Sequence, residues 1–110
     1  MIFSWDDENR EHIAKHAVTP EQAEEVVRGA RAPFPQQQDD EKLVVWGAMA
    51  TGRYLQVIYV LKRPDEVAFD SVAAHDWIDI EAGKVREVIR VIHAMDLTPR
   101  MKRQLWRRRR

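Results

Sequence analysis

Two apolar runs, residues 43–50 and 54–61, are separated only by Thr51-Gly52-Arg53. Both runs are rich in β-branched and aromatic residues. The three-residue link contains a glycine, and this combination reads as two strands joined by a tight turn. A β-hairpin therefore sits in the middle of the chain, and everything before and after it must be arranged to cover its apolar side chains. At 110 residues the chain is long enough for a small sheet and two or three helices around one modest core.

The segments on either side carry their own local signals. Residues 1–5 alternate as a strand does, with Phe3 and Trp5 on one side. Asp6, Asp7 and Glu8 suit a helix start, where carboxylates meet the positive end of the helix dipole, and a short helix over residues 7–16 is expected. Thr19-Pro20-Glu21-Gln22 is the clearest start signal: Thr19 as N-cap, Pro20 at the first helical position and Gln22 closing a capping box. Ala23, Val26, Val27 and Ala30 then recur at helical spacing as one buried stripe, and Pro33 and Pro35 end the helix. Residues 36–41 read as a polar loop. Residues 63–84 read as an insertion with some β character, anchored by Val67, Phe69, Trp77, Ile78 and Ile80. Residues 85–94 form the next strand, and Thr98-Pro99 starts a C-terminal helix. The order predicts a single α+β domain over residues 1–110. It would hold a small antiparallel sheet of three to four strands, two N-terminal helices on one face and a C-terminal helix.

Composition excludes several chemistries. The chain has no Cys, so disulfides, Cys-ligated zinc and thiol catalysis are out. No apolar run reaches the roughly 20 residues of a membrane span, so no membrane contact is expected. The acidic start does not resemble a signal peptide, and a cytoplasmic location is expected. The net charge of zero hides a division. Residues 1–45 hold 5 cationic and 10 acidic side chains, whereas residues 85–110 hold 9 and 2. Such asymmetry points to a polyanion or an acidic partner.

Phe3-x-Trp5-Asp6, Asn9, Lys15-His16-x-Val18, Glu21 and Ala23 form an ordered set. Glu41-Lys42, Gly47 and Gly52-Arg53-x-Leu55 follow it, and then Ile89-Arg90-Val91-Ile92-His93-Ala94 with Leu97-Thr98 before a basic helix. This combination resembles the BrnT family, the toxin half of a type II toxin–antitoxin pair, over nearly the whole chain apart from residues 63–84. The resemblance implies a RelE-like fold and an endoribonuclease that needs no metal or other cofactor and inhibits translation by RNA cleavage. It also implies a cognate antitoxin with a ribbon-helix-helix part. The chain departs from the family in having His93-Ala94-Met95 where many members have Ser-Ala-Arg, and Met101 where a Glu is frequent. Those departures motivate a second reading, a catalytically degenerate protein- or RNA-binding module.

Metal-free RNA cleavage needs a base for the 2′-hydroxyl, positive charge for the phosphorane and an acid for the leaving oxygen. His93 is the candidate for proton transfer, because imidazole titrates nearest neutral pH. Regular alternation puts His93 with Ile89, Val91 and Met95, and Arg90 on the opposite face, unless a bulge intervenes. Arg100, Lys102 and Arg103, at the start of the last helix, are candidates to hold the phosphate, the alternative being a solvated basic face. Arg53, Arg90, Trp106 and Arg107 are candidate RNA contacts, with Trp106 available for stacking and Trp5 and Trp46 assigned to packing. Residues 107–110 read as a flexible basic tail. Lys15 and His16 are site or packing residues. Glu8, His12 and His16 form a one-sided stripe on one short helix, which cannot close around an ion unaided, so no metal is expected. The substrate would be free or ribosome-bound RNA. Assembly as a homodimer or a toxin–antitoxin hetero-oligomer is open, with a sheet edge and the 63–84 segment as candidate interfaces.

The charge division makes one expectation measurable. RNA binding by this neutral chain should weaken steeply as salt is raised, and deleting residues 107–110 should flatten the slope of log affinity against log salt.

Overall fold

The computed structural model describes residues 1–108; Arg109 and Arg110, the end of the expected tail, lie outside the described residues. The elements are α1 (Asp7–Ala14), α2 (Pro20–Arg28), β1 (Gln36–Gln37), β2 (Lys42–Ala48), β3 (Tyr54–Lys62), α3 (Ala74–Glu81), β4 (Val88–Asp96) and α4 (Pro99–Arg108). Single 3₁₀ turns at Pro64–Glu66 and Phe69–Ser71 precede α3. The strands form an antiparallel meander in the order β1-β2-β3-β4. The protein is therefore α+β, as the order of local signals predicts.

The hairpin forms where the apolar runs place it. The Met49 N–H donates to the Arg53 carbonyl at 2.7 Å, and the Gly52 N–H donates to Met49 at 2.9 Å. Gly52 has φ of +93°, a region only glycine enters without strain. On one face of the hairpin, Val45, Leu55, Val57 and Tyr59 are buried, and α2 lays Ala23, Val26 and Val27 over them. A Cβ at Gly47 would stand 3.4 Å from Val26 Cγ1, so the bare backbone there lets the helix come close. Both capping signals hold: the Gln22 N–H donates to Thr19 Oγ1 at 3.2 Å, and the Thr19 N–H donates to Gln22 Oε1 at 3.0 Å. At α4 the Met101 N–H donates to Thr98 Oγ1 at 3.2 Å.

Four expectations need correction. Residues 1–5 are not a strand of the sheet; Phe3 makes one parallel bridge to Ile89 at the free edge of β4. Residues 36–41 are not wholly loop, because Gln36 and Gln37 pair with Val44 and Leu43. Residues 63–84 contain no strand but two turns and α3. Val67, Val72, Trp77 and Ile80 from this segment pack with Ile2, Val85 and Val88 as a second, smaller apolar cluster. The helix carries no local start signal, because Ala73 stands at its N-cap and offers no side-chain acceptor. Finally, Arg107 and Arg108 are the last turn of α4 rather than tail.

The edge of β4 is held by a side chain. Asn9 is buried, and its Nδ2 donates to the Ser4 carbonyl at 3.0 Å and to the Val91 carbonyl at 3.1 Å. Its Oδ1 accepts from the Asp6 N–H at 2.8 Å, which makes it also the second half of the α1 capping box. Asn9→Ala should therefore cost about 2–3 kcal/mol, since two carbonyls and one N–H lose their partner away from water. Urea unfolding checks this, and a loss below about 0.5 kcal/mol would mean the tether is dispensable.

Candidate functional site

The register of β4 against β3 sets the site. His93 pairs with Ile58 and Val91 with Tyr59, so Ile92 is an extra residue in β4. Arg90 pairs with Val60. Ile58 and Val60 are two residues apart on β3 and share a face, so the bulge brings His93 to the same face as Arg90. Val91 and Ala94 both point into the main core, which fits the same shift in alternation. Regular alternation had separated His93 from Arg90.

α1 lies along β4, held there by Asn9. Glu8, His12 and His16 recur at four-residue spacing on its outer flank and meet this face of β4. The His93 ring centroid is 5.9 Å from that of His12 and 5.3 Å from that of His16, the second pair edge-on. His12 and His16 are exposed and His93 is half-buried. Burial, then the neighbouring His16 and His12, lower the His93 pKa below its ordinary value. His93 is therefore neutral at pH 7 and able to accept a proton. Among the described residues no group of three or more His, Cys, Asp or Glu side chains is placed to hold a metal ion.

The two arginines beside this cluster are engaged within the protein. Arg90 donates to both Asp6 carboxylate oxygens at 2.8 and 3.3 Å and stands 3.5 Å from Glu8. The Arg90 guanidinium holds the Asp6 carboxyl below its usual pKa. Arg53 was expected to reach a phosphate from the hairpin turn. Instead its Nε and Nη2 donate to Asp96 at 2.7 and 3.1 Å. Nη1 donates to the Ala17 carbonyl at 2.9 Å and Nη2 to the His16 carbonyl at 3.1 Å. It clamps the end of α1, where Ala17 takes φ of +56°, to the end of β4. His16 is thus positioned through its backbone by Arg53 and meets His93 through its ring.

The remaining candidates spread along α4. Lys102 stands 5.6 Å above the Tyr54 ring and, after Arg53, helps lower the Asp96 pKa, which places it near the cluster. Arg100, Arg103 and Arg107 are exposed and form no ion pair among the described residues. Trp106 is 52% exposed and sets its edge toward Tyr54 at 6.5 Å. Lys15 is exposed at the end of α1. Trp5 is buried and donates to Glu24, as packing requires. Trp46 is half-buried, donates to Gln56, and lies 5.2 Å under the Arg108 guanidinium.

His12 is the residue that sequence reasoning left out of the site. Its four-residue spacing from His16 was visible; that both face His93 was not, because nothing local reports that α1 runs along β4. No protein-family model matches this chain, and neither a curated protein nor a solved structure matches it.

The cluster makes the titration of His93 a direct check. The folded state binds this proton less readily than the unfolded chain does. Its contribution to stability is therefore intact above the ordinary histidine pKa and is lost as pH falls through the depressed folded value. His16→Gln removes a neighbouring titratable ring, so the His93 pKa should rise while staying below the ordinary value, because burial remains. Imidazole resonances followed by NMR against pH would show this, and an unchanged or lower pKa would mean the rings do not interact.

Proposed function

We propose that this protein is an endoribonuclease toxin of the BrnT type, cleaving RNA by metal-independent acid–base chemistry in the cytoplasm. The observation that carries the reading is the half-buried, neutral His93 flanked at 5.3 and 5.9 Å by two exposed imidazoles. The basic helix α4 begins just beyond the same strand. A ring nitrogen of His93 takes the proton of an RNA 2′-hydroxyl as the O2′–P bond forms. The P–O5′ bond breaks, and O5′ takes a proton from the His12 or His16 ring. The products are a 2′,3′-cyclic phosphate and a 5′-hydroxyl. Lys102, Arg100, Arg103 and Arg107 supply charge for the RNA backbone, with Trp106 as a stacking surface. A ribbon-helix-helix antitoxin would neutralise the toxin by covering this face, and a RelE-like arrangement belongs to the same proposal.

A second reading is favoured by the engagement of Arg53 and Arg90 in internal ion pairs. Without a free guanidinium beside His93, the protein would bind RNA or a protein partner and cleave nothing.

The two readings separate in one experiment. Under the first, purified protein cuts single-stranded RNA to cyclic phosphate ends in the presence of EDTA. His93→Ala then loses about 100-fold or more of the rate. The rate follows a bell-shaped pH profile, its acid limb set by the depressed His93. RNA left intact but still bound would leave the binding module, and an active His93→Ala variant would remove His93 from the chemistry.

A further inference from the structure

The 63–84 segment presents an apolar platform that the proposed chemistry does not use. Phe69 and Trp77 stack at 5.0 Å with 17° between their planes, and Trp77 Nε1 donates to the Phe69 carbonyl at 2.9 Å. Phe69 is 73% exposed and Ile78 beside Trp77 is 70% exposed. Trp77 is half-buried against the small cluster, whereas Phe69 and Ile78 stand in water, an exposure that folding alone does not require. Carboxylates neighbour these residues along the chain. Asp70 follows Phe69, and Glu81 lies one helical turn beyond Trp77 and Ile78. Over residues 63–84 six acidic side chains stand against two cationic ones.

The opposite chemistry stands at the other end of the molecule. α4 carries five cationic side chains and no acidic one. Arg100, Arg103 and Arg107 fall at i, i+3 and i+7, a single exposed stripe, with Trp106 at its side. α3 packs at the Val88 end of β4, whereas α4 leaves from the Asp96 end. That separation is roughly 25 Å along the strand. The two surfaces therefore lie at opposite ends of β4 in one chain and complement each other between two.

We infer that a second copy of this chain is the occupant: the outer stripe of α4 in one copy docks on the Phe69–Trp77–Ile78 platform of the next. Trp106 meets the stacked rings, and the arginines meet Asp70 and Glu81. Because the two patches differ, the contact is head-to-tail and does not close at a dimer by itself. The inference stands whether or not the protein cleaves RNA.

Sedimentation of the intact chain tests it. At about 0.1 M salt, where the Debye length is about 10 Å, the mean mass should rise with concentration past that of a dimer. At about 1 M salt, where it is about 3 Å, the protein should return to monomer. Phe69→Ala with Ile78→Ala changes only exposed side chains and should weaken association about tenfold or more, with an unchanged circular dichroism spectrum. Two charge-reversed variants, Asp70→Lys with Glu81→Lys and Arg103→Glu with Arg107→Glu, should each stay monomeric alone and associate when mixed. A monomer at every concentration would overturn the inference. So would association that survives loss of the platform, or a mixture that fails to associate; those results would assign the platform to a different partner or to none.

Discussion

The outer edge of β4 is the constraint on which the rest of the structure depends. A nine-residue strand with one side paired to β3 leaves a row of polar backbone groups on the other, and those groups need partners. The chain supplies them from its first nine residues. The Ile89 N–H donates to Ile2 and the Ser4 N–H donates to Ile89, each at 2.8 Å, and the Asn9 amide takes the Val91 carbonyl. This pairing has two consequences. It buries Ile2 against Val88, which seeds the small cluster that holds α3, and it lays α1 along β4, which brings His12 and His16 beside His93.

The bulge at Ile92 and the clamp of Arg53 refine that arrangement. An extra residue in β4 re-aims everything after it, so the same nine residues send Val91 and Ala94 into the core and keep His93 out of it. Arg53 is the counterpart at the far end of α1. Its planar fork bonds the His16 and Ala17 carbonyls, in the turn that follows α1, and the Asp96 carboxylate together. An arginine at a hairpin turn reads from sequence as an exposed charge. Its partners are 31 to 43 residues away, and that distance hid its role.

Legibility followed the range of the interactions. The starts of α2 and α4 were readable because Thr19 and Thr98 bond N–H groups three residues on. The hairpin was readable because Gly52 and the two apolar runs are contiguous. α3 was not, because it begins without a capping side chain and its apolar residues serve a cluster formed with Ile2 and Val88 from distant parts of the chain. The alternation of residues 1–5 does not mark a ladder: Ile2, Phe3, Ser4 and Trp5 are all buried, and only Phe3 bridges to β4.

The sequence by itself determined the α+β order, the hairpin with its turn, two helix starts and the split of charge between an acidic front and a basic back. Each rests on contacts within a few residues or on simple counting. Only the tertiary structure decided that three histidines share one face, that Arg53 and Arg90 are bound internally, and that the acidic aromatic platform and the basic helix lie at opposite ends. The grouping of the histidines depends on one bulge and one buried amide. Both act between segments more than 30 residues apart, where periodicity carries no information.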